Sequence, residues 1–374
     1  MARSYRNLWP RLVSWGNLLA SYRKCRRRKR YRSPATAFDY RWEENLLVLQ
    51  QELCSGEYQH GPYQHFHISD PKPRLISAAP FRDRVVHHAV VGVLEPLFER
   101  RFIHDSYACR VGKGTHRAIQ RAQYYMRRHQ WCLQTDLVKF FPSIDHEILM
   151  DLLHRRIGDA AVLNLLQHII QTGAGLPGHD GGVFPGDDLF SRLRPRGLPI
   201  GNLTSQFLAN VFLDPLDHFI KEDLRIPGYL RYADDLLLFG DSRHALWDAV
   251  ERIRRRLADQ RLQLHPQKTQ LTPTTDALTC LGFRVTQRGI RLSQQGIRRF
   301  LKRFRRQRDE FSKGDLDCIQ IAKSLAAWRA HLQHANNQAL ERQLIRQHLR
   351  FRRRNKRVGA VQRITEVSEE ALCD

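Results

Sequence analysis

Apolar side chains return every three or four positions in VVHHAVVGVLEPLFERRF, where Val86, Ala89, Val90, Val93, Leu94 and Leu97 share one face of a predicted core helix. The same period predicts a helix in LTSQFLANVFLDPLDHFI, starting near Leu203. Another falls in SRHALWDAVERIRRRLADQ, capped by Ser242 and periodic in Leu246, Val250, Ile253 and Leu257. A helix around Ile148, Leu149, Leu152 and Leu153 is capped by Ser143 or Asp145, and residues 37–54 have mixed helical character. Strand patterns lie between these helices. WCLQTDLV at 131–138 has a strand's composition with Asp136 near its end, and GPYQHFHISDPKPRLISAAPF at 61–81 reads as two strands around an Asp-Pro-Lys turn. TCLGFRVTQRGIRL reads as a hairpin turning at Gln287 to Gly289. Residues 172–197, dense in Gly and Pro, form a long predicted surface loop.

One hairpin stands apart. In YLRYADDLLLFG, residues 229–240, two apolar runs flank Asp234 and Asp235, and the glycine that eases so tight a turn is absent. Adjacent carboxylates repel, so the pair makes sense if a cation neutralises it; solvated turn punctuation is the bland alternative. A third carboxylate, Asp136, ends the other apolar strand. If strand and hairpin lie side by side in one antiparallel sheet, the three acids converge where two Mg²⁺ ions would serve an in-line phosphoryl displacement.

Charge sharpens this picture. The 374 residues hold 62 Lys plus Arg against 38 Asp plus Glu, a formal net charge of +24. Such a field attracts and steers a polyanion, so nucleic acid is the expected partner. The length predicts two or three packed subdomains, and 42% hydrophobic residues suffice for a globular core. No stretch approaches the roughly 20 apolar residues of a spanning helix, and the basic start does not read as a secretory signal, so a cytoplasmic protein without membrane contact is expected. Seven scattered cysteines (Cys25, Cys54, Cys109, Cys132, Cys280, Cys318 and Cys373) include no CxxC pair, and the 18 histidines no HExxH spacing. The run KCRRRKRYR at 24–32 has two readings, an ordered nucleic-acid contact or a disordered tail. From 295 on the chain is helical and basic: QGIRRFLKRFRRQ sets Ile297, Phe300, Leu301 and Phe304 on one face and arginines and lysines around the rest.

The chain resembles the reverse transcriptases. TDLVKFFPSID, GLPIGNLTSQFLANVFL, YADD, the Lys of PQKTQL and the LGF of TCLGF stand in the order of that family's palm motifs, over about residues 60–290. The resemblance implies an α+β right-hand polymerase with fingers, an antiparallel-sheet palm and a helical thumb. It assigns 1–59 to a basic N-terminal extension, 60–130 to fingers, 131–290 to a palm with the 172–197 insertion, 291–360 to a thumb and 361–374 to a tail. It implies an RNA-directed DNA polymerase that extends a primer along template RNA with dNTPs, using two Mg²⁺ ions held by Asp136, Asp234, Asp235 and the Leu137 carbonyl.

Phe141 matches the aromatic gate that crowds a ribose 2′-hydroxyl, with core packing the alternative for one of Phe140 and Phe141. Lys268 matches the residue that protonates pyrophosphate, a surface lysine being the alternative. Leu281, Gly282 and Phe283 resemble the primer grip. Arg74, Arg82 and Arg84 look like triphosphate clamps, for which bidentate Arg is suited, although an arginine at a helix start also serves as a structural ion-pair partner. Ile200, Gly201 and Gln206 lie beside the nascent pair by the same matching. Many family members have Gln-Gly and Ser-Pro where this chain has Ile200-Gly201 and Ser205-Gln206. With GPYQHFHISDPKPR and DSYACRVGKGTHRA, this variant resembles the enzymes of diversity-generating retroelements, which miscopy template adenines and usually act with a small basic accessory protein that forms a ring. A group II intron-like or phage-defence enzyme, and a non-catalytic RNA-binding protein, are the alternatives.

Overall fold

In the computed structural model the described residues are 4–27, 33–69, 73–174, 184–185, 187–333 and 335. The backbone gathers into two compact units. The described residues up to Gly114, with those of Leu133–Leu271, form the first; Thr115–Cys132, with the described residues from Thr272 on, form the second.

The first unit is built around helix Phe81–Glu99, whose Val85, Val86, Ala89, Val90, Val93 and Leu94 are buried. Helix Leu203–His218 packs along it, as does helix Trp15–Arg26. The expected basic extension is therefore ordered over residues 4–27: Leu12, Leu18, Tyr22 and Cys25 are core residues, because an apolar stripe among the arginines finds a helix to cover. The arginine-rich residues 28–32 lie outside the described residues. Helices Ser33–Tyr40 and Trp42–Ser55 follow. Strands β1 (Gln64–Ile68) and β2 (Arg74–Ala78) pair antiparallel, Ile68 opposite Arg74, and the Asp-Pro-Lys turn between them lies outside the described residues.

Strand β3 (Trp131–Asp136) belongs to a four-stranded sheet, with β4 (Gly228–Tyr232), β5 (Asp235–Gly240) and β6 (Gln270–Pro273), in the order β4-β5-β3-β6. The interior of β5, Leu236 to Phe239, is buried throughout. That is the near-continuous apolar run of a strand covered on both faces. Asp145, rather than Ser143, caps helix His146–His154 by accepting from the amides of Glu147 and Ile148, and Ser242 caps helix Arg243–Asp259. In the long loop, residues 175–183 and 186 lie outside the described residues. Its end forms a short 3-10 turn, Leu189–Leu193, fastened by Arg194 on Asp145 and Arg261 on Asp187.

In the second unit, β7 (Leu278–Cys280), β8 (Phe283–Val285) and β9 (Ile290–Leu292) form a meander. The expected turn before Gly289 is present, Thr286 N donating to the Gly289 carbonyl. A second, unanticipated turn holds Leu281 and Gly282 at φ 51° and 84°, the positive-φ pair of a two-residue hairpin loop. Helix Thr115–Met126, expected in the fingers, packs on β8. Helix Gln294–Lys313 buries Phe300, Phe304 and Phe311, and Phe300 stacks on Trp328 of helix Cys318–Leu332 at 3.8 Å. The remainder of the expected thumb and the tail lie outside the described residues.

Candidate active site

Asp136 ends β3, in the sheet between β5 and β6. Its carbonyl accepts from His265 N at 2.7 Å, and the next amide, Leu137 N, reaches the Asp234 carbonyl at 3.3 Å. Backbone geometry thus brings the end of β3 against the turn joining β4 to β5. There the Asp136 and Asp234 carboxylates come near enough for each to feel the other's charge. Burial, then the neighbouring Asp136 carboxylate, hold the Asp234 carboxyl above its ordinary range, while the charge of Arg74 pulls the other way. Lys268 Nζ pairs with Asp136 Oδ2, on a turn in which Lys268 N donates to the His265 carbonyl and Thr269 Oγ1 meets Thr135 Oγ1 at 2.8 Å.

Of the predicted residues, Asp136, Asp234, Leu137 and Lys268 are therefore brought together, while Arg74, on β2, acts on Asp234 only through its charge. Asp235 opens β5 opposite Tyr232. Among the described residues no three His, Cys, Asp or Glu side chains are drawn together closely enough to share one metal ion, so the expected three-acid cluster is not formed as such. Asp234 lies in the turn and Asp235 is the first residue of β5. The donor set nevertheless suits a hard divalent cation: opposed carboxylate oxygens short of positive charge, with one ammonium nearby.

Phe140 is buried, whereas Phe141 is half-buried with its ring 5.4 Å from that of Phe140, so the core role belongs to Phe140. Lys139, at φ 42°, turns the chain out of the strand into this short helix. Arg82 is engaged by Glu52 and lies over the Tyr58 ring at 5.5 Å, and Arg84 Nε donates to the Ala79 carbonyl at 2.6 Å. Both make structural bonds, as an arginine at a helix start can. Gly201 has φ 113°, and a Cβ there would come within 2.8 Å of Ile76 Cγ2, so the close approach to β2 requires glycine. The Ile200 carbonyl accepts from Ser77 N, and Gln206 is exposed. Leu281, Gly282 and Phe283 lie in the second unit, Phe283 fully buried.

Two groups escaped the sequence reading. Arg231, 1% exposed on β4, is bound by the buried Asp217 carboxylate. It also donates to Asn210 Oδ1 and to the Ala233 carbonyl, both at 3.1 Å. Ala233 has φ 54°, so the turn without a glycine is held from behind by a guanidinium. A lone arginine inside an otherwise apolar strand, with an aspartate late in an apolar helix, was the available signal. The second group is Asn202, whose buried amide accepts from Ala79 N and donates to the Ser77 and Pro199 carbonyls. It fastens the strand carrying Arg74 to the start of helix Leu203–His218.

Residues 68–285 match the family model for reverse transcriptase (RNA-dependent DNA polymerase). The chain belongs to that family, and its helices and antiparallel sheets are the α+β fold of a right-hand polymerase. It is 31% identical over 195 residues to protein YkfC of Escherichia coli, covering 50% of this chain and 48% of that one. It is 25% identical over 183 residues to the group II intron-encoded protein LtrA of Lactococcus lactis, covering 48% and 29%. A putative COX1/OXI3 intron 1 protein of Saccharomyces cerevisiae matches at 22% over 215 residues, covering 56% and 24%. The chain thus spans less than half the length of each of these relatives. No helix among the described residues is long and apolar enough to cross a membrane.

Proposed function

We propose that this chain is an RNA-directed DNA polymerase that copies template RNA into cDNA by transferring nucleotides from dNTPs to a primer 3′-hydroxyl. The approach of the Asp234 turn to the end of β3, with Lys268 paired to Asp136, carries the reading: two acids and an ammonium are what a nucleotidyl transfer asks of a protein. Asp136, Asp234 and, by its place in the motif, Asp235 would hold Mg²⁺, which when bound stabilises the attacking and leaving oxygens of an in-line displacement. Lys268, paired with Asp136, would deliver a proton to departing pyrophosphate. Arg74, whose charge already acts on Asp234, is suited to the triphosphate. Phe141, freed from the core by Phe140, supplies the apolar wall against a 2′-hydroxyl.

The test is extension of a DNA primer on an RNA template with dNTPs and Mg²⁺. Asp234→Asn and Asp235→Asn should each abolish extension while RNA binding, measured separately, survives. Extension at the original rate in either variant refutes the role of that acid.

The motif IGNLTSQ supports the finer reading of a diversity-generating enzyme acting with a small basic ring-forming partner. Ile200 puts a branched apolar side chain where an amide would hydrogen-bond, so selectivity leans on shape, which weakens discrimination. Ile200→Gln should lower errors opposite template adenine, and identical adenine error spectra in sequenced cDNA would defeat the idea. The likeness to intron-encoded proteins favours a second reading, a group II intron-like enzyme. The two separate by whether cDNA errors concentrate at adenine.

A further inference from the structure

Between Asp105 and Asp136 the chain has no acidic residue, yet it carries Arg110, Lys113, Arg117, Arg121, Arg127 and Arg128. Arg110 is bound by Glu99. In the second unit, the apolar face of helix Thr115–Met126, with Ala118, Ile119, Ala122 and Met126, is buried. The helix end is fastened by Gln287, which donates to the Met126 carbonyl at 3.0 Å, and by Arg127 Nε on the Gln287 carbonyl at 2.7 Å. The opposite face carries Arg117, Arg121, Tyr124 and Arg128, spaced four, three and four apart, hence in one stripe. Tyr124 is 37% exposed, and the Arg121 and Arg128 guanidiniums lie 4.6 and 4.1 Å from its ring centre. Arg121 also lies 4.6 Å from the Tyr125 ring and donates to its hydroxyl at 2.9 Å. Among the described residues neither Arg117 nor Arg128 has a carboxylate partner.

We infer that this stripe, in the second unit, is a binding surface for single-stranded RNA. Flat cationic and aromatic groups held in a ladder offer a base the next place in the stack, on the outer guanidinium plane, and the spare charges of Arg117 and Arg128 meet the flanking phosphates. An acidic peptide would satisfy the charge but has no use for the stacked planes. An RNA duplex keeps its bases inside and would use the charge alone. The inference rests on the reading that this chain handles RNA, and it gives the template strand a surface besides the residues that polymerise along it.

The experiment uses the full chain and a labelled 20-nucleotide single-stranded RNA carrying 4-thiouridine. Photocrosslinks should map to the peptide containing Tyr124. The double variant R117Q/R128Q, and Y124A, should each weaken binding of this RNA by about tenfold, R117Q/R128Q with a salt dependence shallower by about one or two phosphates. Y124F should retain the affinity, and thermal melting should show all variants folded. Extension of a primer on a template with only a few unpaired nucleotides should proceed at the original rate in all of them. Unchanged affinity in both R117Q/R128Q and Y124A, crosslinks confined to other peptides, or an equal loss for a blunt RNA duplex would overturn the inference. So would displacement of the RNA from the original chain by polyglutamate at lower charge concentration than by unlabelled RNA. An original chain that binds RNA here but extends no primer would instead count against the polymerase reading and leave this surface standing.

Discussion

Arg231 grips Asp217 with one edge of its guanidinium, Nε to Oδ1 at 2.8 Å and Nη2 to Oδ2 at 2.6 Å, in a place where neither side chain meets solvent. The pair lies behind the Ala233–Asp234 turn, and the remaining nitrogen, Nη1, carries the Ala233 carbonyl. Tyr229 adds its hydroxyl to Asp217 Oδ1 at 2.7 Å. The segment Asp105–Tyr107 covers the outer edge of β4, Arg231 N donating to the Asp105 carbonyl and Tyr107 N to the Arg231 carbonyl. A charged pair in the core is not needed for stability as such, since apolar replacements of similar volume are often neutral. Its use here is to fix a strained turn that carries an acid of the site.

That distinction can be measured. Arg231→Met leaves Asp217 buried and alone, and should cost about 3–5 kcal/mol, lowering the melting temperature and extinguishing primer extension. Arg231→Met with Asp217→Leu removes both charges and should recover most of the melting temperature. Extension should stay low, because nothing then holds the Ala233 carbonyl. A double variant that both melts and extends like the original would show the pair to be structural only.

Asn202 is a smaller clamp with a different readout. Asn202→Ala strands the Ser77 carbonyl and the Ala79 amide in a buried setting, at about 1–3 kcal/mol. It also loosens β2, the strand that carries Arg74. Steady-state extension should show a raised KM for dNTP, with kcat reduced less. Equal losses in kcat and kcat/KM would place Asn202 in folding rather than in positioning Arg74.

The elements were legible wherever apolar residues cluster along the chain. The Val-rich helix at 81–99, the helix at 203–218 and the YADD hairpin are each buried along most of their length. The approach of Asp136 to the Asp234 turn was readable because one acid ends an apolar strand and the other sits at the tip of an apolar hairpin, and such ends meet in a sheet. What the pattern could not carry was pairing at a distance. Arg231 finds Asp217, Asn202 finds the backbone of Ser77 and Ala79, and Arg82 finds Glu52; none of these bonds leaves a trace in local spacing. The folded first helices were hidden for a related reason, since Leu12, Leu18 and Tyr22 become an apolar face only when helix 81–99 is there to receive them.

Phe141 tests the division of labour with Phe140. Phe140→Ala should open a cavity costing about 3–5 kcal/mol and weaken the whole enzyme. Phe141→Ala should cost less stability and instead admit ribonucleotides in a competition assay. An unchanged preference for dNTPs in Phe141→Ala would remove this ring from sugar selection.

His87 gives the fold a sensitivity to acid that is separate from the site. Its ring is 1% exposed, stacks on His60 at 5.3 Å, and among the described residues neither ring nitrogen has a hydrogen-bond partner. Burial, then the charges that His60, His88 and Arg84 carry, push it down to about 3. The unfolded chain takes up a proton below about pH 6.5 that the folded chain refuses. The stability this buried neutral ring contributes is therefore complete above pH 6.5 and lost as pH falls toward 3, by roughly 1.4 kcal/mol per pH unit. His87→Phe keeps a flat ring against His60 and has nothing to protonate. Urea midpoints at pH 7.5 and pH 5.5 should drop sharply between the two in the original chain and less in the variant. The same drop in both would assign the acid sensitivity to other groups.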